Sequence, residues 1–162
     1  ISAGGTYMDP QGKLRASNYS SGFESRIYSN RKVPDVCGLV GQVPAAAYIM
    51  LPLEPGDDID ATSYGGRHPE RDETKRDDGW AAFSGTSAAA PQIAGVCALI
   101  KEACAALGPS EVRDILKRTA RDVTEGSNAH RERATTGRDL ATGAGLVDAA
   151  AAVASAKRRC GP

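Results

Sequence analysis

The sequence has no excess of charge: 20 lysines and arginines stand against 20 aspartates and glutamates. A surplus of one sign draws a chain to nucleic acid or to anionic lipid, so neither partner is expected. No run of about 18 apolar residues offers a membrane span. The chain opens without a signal peptide or a methionine, on Ile1-Ser2-Ala3-Gly4-Gly5-Thr6-Tyr7-Met8. That stretch reads as the middle of a buried strand without a lead-in, so a piece of a longer protein is expected and the missing leader excludes no compartment. Histidine is scarce, with only His68 and His130, both in polar sequence where exposed side chains are the rule. The four cysteines, Cys37, Cys97, Cys104 and Cys160, fall into no zinc-ligand spacing. Cys97 and Cys104 lie about 10 Å apart along one predicted helix, beyond disulfide reach, and are expected to be small core residues. Internal repeats are absent.

What the chain does have is length enough for one domain with a real core, organised around one stretch. Phe83-Ser84-Gly85-Thr86-Ser87-Ala88-Ala89-Ala90-Pro91 opens an apolar segment that runs to about Leu107. Between Ala88 and Ile100 the one polar residue is Gln92, and charges resume at Lys101. A helix apolar all round is expected to be buried. Ser87 then sits at its N-terminus, where unpaired N–H groups and the helix dipole favour negative charge. Gly85 allows close approach of a ligand or another backbone, and Pro91 falls early enough that its missing N–H matters little. This suits a nucleophilic serine whose reaction creates an oxyanion. The plain alternative is a capping serine.

Around this stretch the elements follow in order. Asp9-Pro10-Gln11-Gly12 is a turn after the first strand. Val33-Pro34-Asp35-Val36-Cys37-Gly38 is a second strand and its exit, and Ala46 to Leu51 an extra or extended one. Residues 65–79 form a charged, glycine-bounded insertion with no apolar period, expected to be a poorly ordered loop. A lid or calcium site built from Glu70, Asp72, Glu73, Asp77 and Asp78 is not supported, because interleaved basic residues cancel the charge and the spacing fits no known calcium loop. Trp80-Ala81-Ala82-Phe83 is a short strand delivering the serine turn. After Gly108-Pro109-Ser110, a stop, a breaker and a fresh cap, Val112, Ile115, Leu116 and Thr119 mark one face of an amphipathic helix. A terminal helix runs to about Ala156, Lys157-Arg158-Arg159 suits a helix C-terminus, and 157–162 is a basic tail.

Ser84-Gly85-Thr86-Ser87, small residues, Pro91 and Ile93-Ala94-Gly95 together closely resemble the serine signature of the subtilisin-like proteases. The resemblance covers roughly 1–156, broken at 43–80. Residues 1–8 are similar to the family strand that follows the oxyanion asparagine, and Leu14 to Gly22 to its Ala-Ser-Tyr-Ser segment. Pro34-Asp35-Val36 matches the next strand, although Gly38 departs from the Ala-Pro-Gly exit. Leu116 to Val123 resembles Leu-x-x-Thr-Ala-x-Asp-Val, and Gly143 to Ala150 the family ending.

The resemblance implies an α/β fold, three layers around a mostly parallel sheet, present here as its C-terminal half. It implies a serine endopeptidase in which Ser87 is the nucleophile and lends its backbone N–H to the oxyanion hole. Ser84, Gly85 and Thr86 would contact substrate near the leaving side. The family's Asp, His and oxyanion asparagine have no counterpart here: neither histidine stands in a His-Gly-Thr context. They belong to a segment upstream of Ile1, so the chain alone is expected to be inactive. The implied partners are a protein or peptide substrate and the N-terminal half of the same domain, and no cofactor or metal is called for. Two alternatives stand beside this: a non-catalytic interaction module on the same fold, and the sedolisin group, which uses Glu in place of His and for which Gly143-x-Gly145-x-x-Asp148 could supply a calcium site.

Overall fold

The structure, a computed structural model, describes residues 1–42, 49–62 and 74–161. β1 (Ala3–Met8) turns into β2 (Leu14–Ala16), with Thr6 opposite Ala16 in an antiparallel pair. The expected turn joins them. The Asp9 carboxylate accepts from the backbone N–H of Gln11 at 3.0 Å and of Lys13 at 2.8 Å, the habit that makes aspartate a turn former. A small antiparallel pair follows, β3 (Phe23–Glu24) with β4 (Lys32–Val33). β5 (Val36–Leu39) then returns alongside β1 in parallel, Ala3 opposite Val36, which leaves β1 in the middle of the sheet.

β6 (Ile49–Pro52) comes next, then the short α1 (Asp58–Thr62) and β7 (Trp80–Phe83), which pairs antiparallel with β6. The described end of the predicted strand at 46–51 is thus β6, and 46–48 lie outside the described residues. So do 65–73 of the charged insertion, with Glu70, Asp72, Glu73 and His68. In its remainder, the Asp78 carboxylate accepts from the N–H groups of Lys75 at 2.7 Å and Trp80 at 3.0 Å, and Asp77 faces Arg76 at 3.5 Å. These carboxylates are already engaged in shaping the turn.

α2 (Thr86–Ala103) packs on β1 and β5 and against the two later helices, α3 (Pro109–Thr119) and α4 (Ala149–Cys160). Ile93, Val96 and Ile100 of α2 join Val36, Val112, Ile115 and Leu116 in one core, closed by Ala152 and Ala156, whose small side chains let α4 come near. The expected α3 face is therefore the buried one, each large aliphatic contributing about 1.5–3 kcal/mol. Its cap is not Ser110, however. Gly108 is the N-cap, Pro109 takes the first helical position, and the Glu111 carboxylate accepts from the Gly108 N–H at 2.8 Å.

Three further expectations are corrected. α2 is not buried all round: Ala90, Ala94 and Ala98 are exposed, as is Leu99 at 45%. Hydropathy counts how apolar a helix is, not how many of its faces find a partner within the described chain. α2 also ends at Ala103 rather than Leu107, and the Lys101 ammonium reaches forward to donate to the carbonyl oxygens of Ala105 and Leu107. Finally, α4 runs past Ala156 to Cys160, so 157–160 are helix rather than tail. Lys157, Arg158 and Arg159 stand at its C-terminus as their charge suits, where it meets the negative end of the helix dipole.

Cys104 is not a plain core residue, because it forms a disulfide with Cys160 across a Cα separation of 5.7 Å. Cys37 and Cys97 are free. Burial pushes the Cys37 thiol well up, so it stays protonated and donates to the Thr142 carbonyl at 3.2 Å.

Asp35 anchors the start of β5. It is fully buried, and burial disfavours its charge. The Arg31 guanidinium, at 2.6 and 2.8 Å, and the Ser2 N–H, at 2.8 Å, outweigh that cost and bring its carboxyl down to about 2. An unfolded aspartate titrates near 3.9, so the ionised group adds stability that is complete above about pH 5 and lost as pH falls toward 2. Asp35→Asn should therefore cost about 2 kcal/mol at pH 7, with the gap to wild type closing as pH approaches 2. Urea melts of both proteins at pH 7, 4 and 2.5 check this, and a gap that does not change with pH would refute it.

Candidate active site

β7 delivers the serine turn, as its position in the sequence requires. The strand ends at Phe83, and Ser84 leads to Gly85, the N-cap of α2, with φ at 108°. That angle lies in the region open to glycine and closed to most other residues. The turn of the chain into the helix therefore depends on having glycine there. Asp60 steadies the strand's other end: it is 1% exposed, and one carboxylate oxygen accepts from Gly56 N–H and Gly79 N–H, each at 3.0 Å. Nothing in the acidic run Asp57-Asp58-x-Asp60 singles that residue out.

Thr86 and Ser87 are the first two residues of α2. The cap position belongs to Gly85, which has no side chain to cap with, so Ser87 is not the capping serine of the plain alternative. Ser87 is exposed, and none of the described residues hydrogen-bonds its hydroxyl. Its backbone N–H, in the first turn, has no intrahelical acceptor, and the positive end of the dipole lies there. Ser84, Gly85 and Thr86 are half-buried beside it. A hydroxyl and an open N–H at a helix start can together present a nucleophile and an anion donor to one reacting carbonyl.

No described base stands at that hydroxyl. His130 is exposed, as expected, and belongs to another corner of the molecule. Its Nδ1 lies 2.9 Å from the Gly22 carbonyl oxygen, and its backbone N–H donates to Asn128 Oδ1 at 2.9 Å. Among the described residues, no three His, Cys, Asp or Glu side chains gather as metal ligands.

The first turns of α2 lie tight against β5. A Cβ on Gly38 would come within 2.8 Å of the Ala89 carbonyl oxygen, so this departure from the expected strand exit is where the helix backbone crosses the sheet. One turn further on, Gln92 reaches the same strand. Its Oε1 accepts from Leu39 N–H at 3.0 Å, and its Nε2 donates to the Leu39 carbonyl at 2.9 Å. Gln92 was conspicuous in the sequence as the lone polar residue of an apolar helix, but its partner was not.

The subtilase family, peptidase S8, matches residues 55–145, more than half of the chain, with the serine turn inside the match. No curated protein matches. Among solved structures, fervidolysin from Fervidobacterium pennivorans, described as a keratinolytic enzyme related to subtilisin, is 25% identical with a TM-score of 0.64. That likeness covers 100% of this chain and 19% of fervidolysin, so the chain spans about a fifth of that relative's length. A psychrophilic subtilisin-like protease from the Antarctic psychrotroph Pseudoalteromonas sp. AS-11 is 31% identical over 54% of this chain and 18% of its own, with a TM-score of 0.45. A structure of proteases from Pseudoalteromonas arctica PAMC 21717 is 31% identical over 75% of this chain and 29% of its own, with a TM-score of 0.48. The fold is subtilisin-like and related to that of proteases.

Proposed function

Because the chain belongs to the subtilase family, we propose that it is the C-terminal part of a serine endopeptidase domain whose nucleophile is Ser87. The observation that carries this reading is the serine itself: exposed at the start of α2, just after a positive-φ glycine, with its hydroxyl taken by no described partner. A residue serving only the fold would be expected to spend that hydroxyl on a cap.

In the reaction, Ser87 Oγ attacks the scissile carbonyl carbon, and a histidine from upstream of Ile1 takes the hydroxyl proton. An upstream aspartate orients that imidazole. The carbonyl oxygen becomes an oxyanion held by the Ser87 N–H and an upstream asparagine. The carbon–nitrogen bond then breaks, the leaving amine takes the proton from histidine, and water hydrolyses the acyl-serine. Ser84, Gly85 and Thr86 would line the leaving side of the substrate, a protein or peptide. No cofactor enters these steps. The upstream half of the domain has a natural seat on the exposed apolar face of α2, at Ala94, Ala98 and Leu99.

A fluorophosphonate probe tests the reading directly, since it forms an oxygen–phosphorus bond only with an activated serine and expels fluoride. The full-length protein should be labelled at Ser87, located by peptide mass. The 162-residue chain alone should resist labelling and leave peptides intact, because a serine hydroxyl without a base is a weak nucleophile. A full-length protein that stays unlabelled would favour the non-catalytic module instead.

A further inference from the structure

β5 is paired with β1 along one edge, Gly38 and Val40 turning their backbone groups that way: the Val40 N–H donates to the Thr6 carbonyl at 2.7 Å. Its outer edge belongs to the alternate residues, Cys37 and Leu39. Cys37 finds partners in the late segment of the chain, donating to the Gly145 carbonyl at 2.8 Å and accepting from the Val147 N–H at 2.9 Å. At Leu39 that segment has moved on, and Gln92 takes its place. The side-chain amide offers one acceptor and one donor to the same residue, at 3.0 and 2.9 Å, which is how a neighbouring strand would pair there. The second Nε2 hydrogen goes to the Ala88 carbonyl at 2.9 Å, one turn back on the same helix.

Ala88 follows Ser87 directly, so one amide links the β5 edge to the turn that carries the nucleophile. Just beside it, Gly38 meets the Ala89 backbone with no room for a Cβ. An apolar contact could hold α2 against the sheet but would let it slide or rotate, because dispersion has no direction. Hydrogen bonds to both groups of one residue set height and rotation together.

We propose that Gln92 is a positioning residue for Ser87, its amide acting as a one-residue strand on the β5 edge that fixes how the first turn of α2 sits. This rests on Ser87 being the nucleophile. A displacement of about 1 Å at a reacting atom can cost on the order of a hundredfold in rate, so loss of the link should appear in turnover before it appears in substrate binding.

The test compares Gln92→Leu and Gln92→Glu with wild type in the full-length protein. It reads thermal midpoint, kcat and KM on a peptide substrate, and the rate of fluorophosphonate labelling at Ser87. Gln92→Leu should remain folded at the assay temperature, lose roughly ten- to a hundredfold in kcat and in labelling rate, and keep KM within about twofold. Gln92→Glu should behave alike at neutral pH, where a carboxylate cannot donate to the Leu39 carbonyl. Its activity relative to wild type should climb as acid restores an O–H donor, below about pH 5. Wild-type labelling with kcat unchanged in both variants overturns the positioning role and leaves the nucleophile standing. Loss of the folded state in both variants makes Gln92 a stability residue and also overturns it. An unlabelled wild type removes the nucleophile, and this role falls with it.

Discussion

Replacing Ser87 with alanine in the full-length protein is expected to abolish proteolysis while leaving the melting curve almost untouched. The expected loss is about a millionfold in turnover, the scale known for removing the serine of subtilisin itself rather than one obtained from this site. The stability side follows from the geometry. Gly85, not Ser87, caps α2, and the Ser87 hydroxyl is exposed with no described hydrogen-bond partner. Removing it breaks no hydrogen bond among the described residues, and alanine is the better helix former, so the change should stay within about 0.5 kcal/mol. A thermal melt beside a peptide assay on both proteins separates the two effects. Retention of more than about a thousandth of wild-type turnover, well above that loss, would mean that Ser87 is not the nucleophile. A large drop in melting temperature would mean that the residue serves the fold.

The largest expected effect on stability comes from the Cys104–Cys160 disulfide. It closes a loop of 56 positions, from the C-cap of α2 to the last turn of α4. Closing a loop of that length restricts the unfolded chain by an amount worth about 4 kcal/mol on the loop-entropy account. For a domain of this size that is roughly 10 °C in Tm. Cys160→Ser is the cleaner probe, because Cys160 is exposed whereas Cys104 is buried in the core. Its melt should fall by about that much and overlay the melt of wild type under reducing conditions. A variant that melts within two or three degrees of oxidised wild type would show that α4 is held by its alanine face alone. The core beneath should survive either way, since Ile100, Ile115 and Leu116 are fully buried among the other apolar side chains of α2, α3 and α4.

Where the structure corrected the sequence reading, it did so at points where a neighbour decided the outcome. Ser110 looked like a cap because serine is a good one, yet Pro109 at the first helical position moved the cap to Gly108, with Glu111 serving its N–H. α2 looked buried because it is apolar, yet burial needs a partner on each face, and Ala94, Ala98 and Leu99 have none among the described residues. Gly38 looked like a departure from a pattern, and proved to be the place where Ala89 crosses the strand.

The sequence by itself determined what is local. The 3.6-residue period marked the buried face of α3, the Asp-Pro-x-Gly stretch the turn after β1, and the Gly-Thr-Ser string the start of α2 with Ser87 in its first turn. Each depends on interactions within a few residues, so composition and spacing carry it directly. Only the tertiary structure decided which distant groups meet. Gln92 and Leu39 are 53 positions apart, Cys104 and Cys160 56, and Cys37 and Thr142 105. Such pairings leave no period in the chain. They arise because an amide, a thiol or a carbonyl enclosed by packing must find whatever complementary group the fold brings within about 3 Å.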